Sequence, residues 1–190
     1  SPSPTRRGPG SPAARTETAM NEQTGRVFWI TGLSGAGKST LARALQARLS
    51  PSILLDGDEL RAVLGATRSG FDRQSRLELA ATYARFCKLL AEQGHTVIIA
   101  TISLFHEIHA WNRENLPGYR EIFLDVPEKV RRQRDPKGLY AAAQAGAVRQ
   151  MAGTETPVDL PRDPHLVLHT DRLSLEDCVA AVLRLAAEQA

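Results

Sequence analysis

The chain has 190 residues, of which 42% are hydrophobic and 24% charged, with a formal net charge of +3 and an isoelectric point near 9.1. This length and composition favour one globular domain, and the scattered lysines and arginines do not form the basic block typical of nucleic-acid-binding chains. No apolar stretch approaches the roughly 18 to 20 residues of a membrane helix, so we expect no membrane partner. Two cysteines, Cys87 and Cys178, are too few and too far apart for a disulfide framework or a metal site, which favours a reducing cytoplasm.

The first 24 residues are rich in Ser, Pro, Thr, Arg and Gly and have no apolar periodicity, which predicts a disordered N-terminal extension. Residues 25–190 then alternate short β-rich runs with helical stretches. The pattern predicts strands at 26–31, 52–55, 96–101, 120–125 and 166–169. It predicts helices near 38–49, 57–64, 72–93, 104–115, 127–134, 138–147 and 174–188.

This alternation is typical of an α/β fold in which helices cover both faces of a parallel sheet. Residues 97–100 are all apolar, as in a strand that is buried on both sides. Leu41, Leu45 and Leu49 form an apolar stripe along the first helix. Since ligands of such sheets bind at the carboxyl ends of the strands, the residues that follow each strand are the candidates for function.

The segment after the first strand, residues 32–39, reads GLSGAGKS and matches GxxxxGK[ST], the phosphate-binding loop of P-loop NTPases. Its glycines let successive backbone N–H groups point at phosphate oxygens, so the motif predicts ATP binding. Lys38 is expected to reach the β- and γ-phosphates and Ser39 to bind Mg²⁺. A glycine turn that matches by chance is the alternative, but strand, loop and helix stand in the order that the motif requires. The predicted ATP-binding residues are Gly32, Leu33, Ser34, Gly35, Ala36, Gly37, Lys38, Ser39 and Thr40.

Asp56 comes directly after the second predicted strand, so we expect its carboxylate to face the phosphate loop across the strand ends. It is predicted to hold Mg²⁺ together with Ser39, or to accept the proton of an attacking hydroxyl. The third strand ends without a Walker-B aspartate, which strengthens the case for Asp56 as the metal-organising carboxylate. The alternative is that Asp56 and Gly57 form an ordinary turn.

Residues 131–140 read RRQRDPKGLY and place four cations in a segment interrupted by Pro and Gly. In a nucleotide kinase, a mobile cationic segment folds over the triphosphate, stabilises charge on the transferring phosphoryl group and excludes water. We predict that Arg134 and Lys137 serve this lid and that Arg134 is catalytic, together with Lys38 and Asp56. A solvated helix face is the alternative.

Several segments together resemble adenylylsulfate kinase over about residues 26–170: GLSGAGKST, LDGDELR, the Gly-Phe pair at 70–71, Thr101-Ile102-Ser103, RDPKGLY and the spaced prolines at 157, 161 and 164. The resemblance implies a single P-loop kinase domain, usually a homodimer, that uses MgATP to phosphorylate the ribose 3′-hydroxyl of adenylylsulfate, a small-molecule nucleotide. It implies that Asp56 is the base. It also implies that the acceptor is bound by Asp58, Arg61, Phe71, Arg76, Ile102, Ser103, Lys137, Gly138, Leu139 and Met151.

The chain also departs from the family pattern on the acceptor side. The family usually reads DRxxNxRR after the Gly-Phe pair, whereas residues 75–82 read SRLELAAT, so one arginine remains while the Asn and the Arg pair are absent. The expected aromatic partner of Phe71 is Met151, which suggests a different base or looser stacking. The segment SLFHEIHAWNREN resembles a divergent branch that includes cytidine diphosphoramidate kinase. Adenylylsulfate is therefore the default acceptor, and a cytidine nucleotide is the alternative.

That segment, residues 103–115, also has the pattern of an amphipathic helix. We expect Leu104, Ile108 and Trp111 to pack inward and Glu107, Asn112 or Arg113 to face outward. His106 and His109 are expected at the surface, although they and Arg113 are candidate replacements for the missing acceptor contacts.

Two other classes of protein compete with a kinase. A non-catalytic nucleotide-binding module would bind ATP without transferring phosphate, but the presence of Lys38, Ser39, Asp56, Arg134 and Lys137 weighs against it. A GTP-dependent switch is disfavoured because the chain has no NKxD-type segment to read guanine.

Overall fold

The structure is a computed structural model and describes residues 24–66, 70–135, 138–146 and 157–188. The predicted N-terminal disorder therefore lies almost wholly outside the described residues. The elements in chain order are β1 (Arg26–Thr31), α1 (Lys38–Arg48), β2 (Ile53–Asp56), α2 (Gly57–Val63), α3 (Arg73–Glu92), β3 (Thr96–Thr101), α4 (His106–Asn115), β4 (Arg120–Leu124), α5 (Glu128–Arg134), α6 (Leu139–Gln144), β5 (Leu166–Leu168) and α7 (Leu175–Ala187).

The five strands form one parallel sheet in the order β2-β3-β1-β4-β5. This confirms the predicted α/β P-loop fold. The chain moves from β1 through β2 to β3 on one side and continues with β4 on the other, so the strand order reverses at β1. Ligands of open parallel sheets bind at such a reversal, and the phosphate loop directly follows β1.

Helices cover both faces of the sheet, as the sequence predicts. On one face, α1 and α7 bury Leu45 and Val182 against β1 and β3. On the other face, α3 and α4 bury Cys87 and Ile108 against the same strands. Among the described residues, no helix combines the length and apolarity needed to cross a bilayer.

Two expectations for α4 are wrong. His109 is only 3% exposed and Asn112 is wholly buried, although both were expected on the outer face. The reason lies beneath the helix, where the Tyr119 hydroxyl donates to the carboxylate of Glu121 at 2.7 Å and Arg113 donates to the same carboxylate at 3.1 Å. Because β4 buries this carboxylate completely, the face of α4 above it is polar as well as buried. Apolar periodicity alone gives no signal for such a face.

Candidate active site

The phosphate loop depends on two glycines. Gly35 and Gly37 have φ of 85° and 98°, in the left-handed region that side chains rarely adopt. A Cβ on Gly35 would also lie 2.7 Å from the carbonyl oxygen of Arg131. Gly37 caps α1, and the unsatisfied N–H groups of the first turn of that 11-residue helix form the anion-binding end that the motif predicts.

Ser39 and Asp56 meet at the floor of the site. The Ser39 hydroxyl donates to Asp56 Oδ2 at 2.5 Å, while Asp56 Oδ1 accepts the backbone N–H of Asp58 at 3.0 Å and so caps α2. Asp56 thus has the turn-forming role that the sequence left open, and its carboxylate also reaches the phosphate loop.

These residues fit a Mg²⁺ ion of the kind that phosphoryl-transfer sites use. Mg²⁺ prefers oxygen ligands and is usually held by one or two carboxylates, water and substrate phosphates. Within the described ranges, no group of three or more His, Cys, Asp or Glu side chains is placed to hold a metal. Ser39 and Asp56 therefore supply the hard oxygen atoms that such an ion would share with a bound triphosphate.

Arg134 and Thr170 connect the phosphate loop to the segment after β5. Arg134 donates to the hydroxyl of Thr170 at 2.9 Å, to its carbonyl at 3.0 Å and to the Gly35 carbonyl at 3.2 Å. The Thr170 hydroxyl in turn donates to the Ala36 carbonyl at 2.7 Å. Thr170 was not among the predicted site residues, although its position directly after a predicted strand was the relevant signal. The catalytic role of Arg134 stays a prediction.

Tyr140 fastens the RDPKGLY segment to the phosphate loop. Its hydroxyl donates to the Ser34 carbonyl at 2.8 Å and accepts a hydrogen bond from Arg131. Asp135 accepts the backbone N–H of Tyr140 at 3.1 Å, which holds the segment from its other end. The described ends of the segment are therefore anchored.

We expect Arg134→Ala to raise the KM for ATP about 10-fold, because the variant loses the hydrogen bonds that hold the loop around the triphosphate. Initial rates at varied ATP concentration test this, with Arg184→Ala on the exposed face of α7 as the control. A fall in kcat at unchanged KM would contradict a positioning role and favour charge stabilisation during transfer.

A cleft of about 630 Å³ lies above the carboxyl ends of the strands and brings most of the predicted residues together. The predicted residues that line it are Ser34, Gly35, Gly37, Lys38, Ser39, Thr40, Asp56, Asp58, Arg61, Phe71, Arg76, Ile102, Ser103, Arg134 and Leu139. The predicted site residues that the structure describes but that do not line the cleft are Gly32, Leu33, Ala36 and Gly138. Of these, Leu33 supplies the carbonyl that accepts Lys38 Nζ at 3.0 Å. Lys137 and Met151 lie outside the described residues.

The side of the cleft that is predicted to bind the acceptor holds two guanidinium groups and an exposed aromatic ring. Arg61 lies 4.3 Å from the centroid of the Phe71 ring, and Phe71 is 54% exposed. Arg76 Nε and Nη2 are buried and have no hydrogen-bond partner among the residues that the structure describes. Burial lowers the pKa of Arg76, and the nearby Arg73 adds to the effect. The arrangement provides a stacking surface and a desolvated cation for an anionic group.

Tyr83, which was not among the predicted site residues, supports this side of the cleft. Its hydroxyl donates to the Gly57 carbonyl at 2.8 Å, at the start of α2, and burial raises the pKa of Tyr83 to about 12. The signal was its place seven residues after Arg76, on the same face of α3. Tyr83 therefore remains a neutral donor that fixes the turn carrying Asp56.

Ser103 marks the end of the third strand. It has φ of 36°, a strained value for a residue other than glycine, and its hydroxyl lies 2.7 Å from that of Thr101. Strain of this kind concentrates at ligand-binding sites, which agrees with the prediction for Ser103.

The proposed replacement contacts from α4 lie elsewhere. His106, His109 and Arg113 line a separate surface cleft together with Arg162. Arg113 donates a hydrogen bond to the Glu121 carboxylate, and a His106 ring nitrogen lies 2.9 Å from the Leu160 carbonyl. In this structure they do not replace the missing acceptor contacts.

Comparison with known proteins agrees with this geometry. The family model described as adenylylsulphate kinase matches residues 24–169. The cytidine diphosphoramidate kinase of Campylobacter jejuni is 38% identical over 162 residues, covering 83% of this chain and 94% of that protein. The adenylyl-sulfate kinase of Deinococcus deserti is 43% identical over 174 residues, covering 88% and 96%. The Mycobacterium tuberculosis APS kinase CysC, solved with AMPPNP and APS, superimposes with a TM-score of 0.80 at 35% identity, over 87% of this chain and 99% of that one. The chain belongs to the adenylylsulphate kinase family and is a nucleotide-binding phosphotransferase.

Proposed function

We propose that the chain transfers the γ-phosphoryl group of ATP to the ribose 3′-hydroxyl of a nucleotide that carries an anionic group on its 5′ side. In this reaction the bond between the γ-phosphorus and the bridging oxygen breaks, and a bond from the γ-phosphorus to the 3′-oxygen forms. The hydroxyl proton goes to Asp56, and ADP leaves.

One observation carries the proposal: Asp56 lies in the same cleft as the phosphate loop and as Arg76, whose Nε and Nη2 atoms are buried without a hydrogen-bond partner among the described residues. A carboxylate that shares a cleft with a triphosphate site and a cationic group can accept a proton from a hydroxyl bound in that cleft. Burying guanidinium nitrogens without hydrogen bonds is costly, so the arrangement favours an acceptor that brings its own negative charge.

The other side chains have supporting roles. Lys38 and the N-terminus of α1 bind the phosphates, and Arg61 and Phe71 hold the acceptor. A bound Mg²⁺ would neutralise phosphate charge during transfer. Leu139 extends the acceptor side of the cleft at the described end of the RDPKGLY segment.

Adenylylsulfate is the first acceptor that we propose, since the Deinococcus deserti relative is named for it. Cytidine diphosphoramidate is the second, because the Campylobacter jejuni relative is named for it and because Leu79, Ala81 and Thr82 stand where the usual family pattern has Asn, Arg and Arg. An apolar Leu79 in the wall of the cleft removes an amide contact to the acceptor. A homodimer and a cytoplasmic location remain predictions.

The test is to incubate the pure protein with MgATP and either adenylylsulfate or cytidine diphosphoramidate, and to follow ADP release and the product by ³¹P NMR. We expect a new 3′-phosphate monoester signal with at least one acceptor. Tight ATP binding without transfer to either acceptor would instead support a non-catalytic nucleotide-binding module.

A further inference from the structure

The phosphate loop is held from outside by two hydroxyl groups that lie far from it in the chain. The Tyr140 hydroxyl donates to the Ser34 carbonyl at 2.8 Å, and the Thr170 hydroxyl donates to the Ala36 carbonyl at 2.7 Å. Tyr140 is only 3% exposed, and burial raises the pKa of its phenol, so this group keeps the proton that it donates. Two carbonyls of the loop are therefore fixed by side chains outside it.

Each of these hydroxyls is itself fixed by an arginine of α5. Arg131 donates to the Tyr140 oxygen, and Arg134 donates to the Thr170 oxygen at 2.9 Å. Because a guanidinium group can only donate, each hydroxyl accepts from its arginine and turns its own hydrogen toward the loop. Arg131 and Arg134 lie three residues apart, on one face of α5. That face supports two equivalent braces, each of which runs from an arginine through a hydroxyl to a loop carbonyl.

A carbonyl held on the outside of the loop orients the N–H group that shares its peptide unit. In a trans peptide, the C=O and the N–H point in opposite directions. The Ser34 carbonyl shares its unit with the N–H of Gly35, and the Ala36 carbonyl shares its unit with the N–H of Gly37. Both glycines line the cleft, and neither N–H has a hydrogen-bond partner within the described part of the chain. The braces therefore turn two unpaired donors toward the cleft.

The two glycines explain why such braces are needed. Gly35 and Gly37 adopt left-handed φ values that let the loop curl, but glycine is also the residue with the largest conformational freedom. Without an external hold, the peptide units on either side of Ala36 are free to rotate and to turn their N–H groups away from the cleft. The N–H of Ala36 itself is held within the loop, where it donates to the Leu33 carbonyl at 3.1 Å.

We propose that Tyr140 and Thr170 are positioning residues of the triphosphate site, which point the N–H groups of Gly35 and Gly37 at the phosphates before ATP binds. The inference deepens the proposed function and rests only on the triphosphate half of it. A preorganised set of donors binds an anion more tightly, since fewer groups have to be ordered on binding.

The experiment measures by calorimetry the Kd for MgATP and for magnesium tripolyphosphate, which has the three phosphates but neither ribose nor base. It compares the unmodified chain with Thr170→Val, Thr170→Ser and Tyr140→Phe, and thermal unfolding shows which variants are folded. We expect Thr170→Val and Tyr140→Phe to raise both Kd values about 3- to 10-fold, because a hydrogen bond to the loop is lost. Thr170→Ser keeps the hydroxyl and should bind both ligands as the unmodified chain does. Thr170 is half-buried, so its variants test the inference even where Tyr140→Phe fails to fold.

A loss of ATP affinity with unchanged binding of tripolyphosphate would overturn the inference and assign Thr170 to the nucleoside. Unchanged binding of both ligands in either folded variant would overturn it as well. An equal loss in Thr170→Ser would trace the effect to packing rather than to the hydroxyl, again against the inference.

These measurements involve no acceptor and no turnover, so they separate the inference from the transfer reaction. A chain that binds triphosphate as expected but phosphorylates no acceptor contradicts only the proposed function. A chain that phosphorylates an acceptor while Thr170→Val binds ATP normally contradicts only the inference.

Discussion

Asp56→Asn is expected to lower kcat about 10²- to 10⁴-fold while the fold stays intact, because an amide cannot accept the hydroxyl proton. The substitution is nearly isosteric, and Asn caps helices as well as Asp does, so α2 keeps its cap. The loss should appear in kcat and kcat/KM alike, since the proton moves only in the transition state. Steady-state kinetics together with thermal unfolding measure both parts of this expectation.

Asp72→Asn is the matched control. Asp72 caps α3 through the backbone N–H of Ser75 at 3.0 Å, as Asp56 caps α2, but it does not line the cleft. We expect the control to retain its turnover. Near-normal turnover of Asp56→Asn with an unchanged fold would remove Asp56 from the reaction, and equal losses in both variants would assign the effect to capping.

The fold and the floor of the site follow from local sequence signals. Apolar runs and helical periodicity give the elements to within a few residues at each end. The GxxxxGK[ST] spacing gives the phosphate loop, and the position of Asp56 directly after a strand gives its place beside Ser39. These signals suffice because residues at the carboxyl ends of neighbouring parallel strands necessarily meet.

Other parts of the site depend on contacts between segments that are distant in the chain. Arg134 reaches Gly35 and Thr170, and Tyr140 reaches Ser34 across 106 positions. The buried polar face of α4 depends on Glu121 in β4. The residue pattern of the helix gives no indication of this partner. Such pairings are fixed by the packing of the whole domain, so a single sequence does not reveal them.

The charges of the cleft explain why both substrates are anionic nucleotides in our proposal. Among the residues that the structure describes, two carboxylates line the cleft, those of Asp56 and Asp58, and so do five cations: Lys38, Arg43, Arg61, Arg76 and Arg134. The low dielectric constant of the cleft walls strengthens the electric field of this excess of positive charge. The negative charges of a triphosphate and of a second phosphate-containing group together balance this positive charge.

Arg76→Met is expected to lower kcat/KM for the acceptor about 10²- to 10³-fold, because the anionic group loses a charge-assisted, desolvated contact. The loss should appear mainly as a higher KM for the acceptor, with the KM for ATP unchanged, because the contact exists in the bound substrate as well as in the transition state. Initial rates at varied acceptor concentration measure it.

The same variant should unfold at a higher temperature than the unmodified chain when no ligand is bound. Arg76 buries two guanidinium nitrogens without a hydrogen-bond partner among the described residues, and the Phe105 ring, 5.8 Å away, compensates only part of the lost hydration, whereas Met fills similar volume at no such cost. Each kcal/mol recovered corresponds to about 2–4 °C in a chain of this size.

Arg73→Met separates the two effects. Arg73 lies one turn earlier on α3 and near the same Phe105 ring, but it is exposed and paired with Glu107 at 3.0 Å. We expect this control to gain no stability and to keep its acceptor KM. A loss of stability in Arg76→Met with an unchanged KM would show that the guanidinium serves the fold. A gain in stability together with weaker binding of the acceptor identifies a cation that destabilises the fold but is needed to bind an anion.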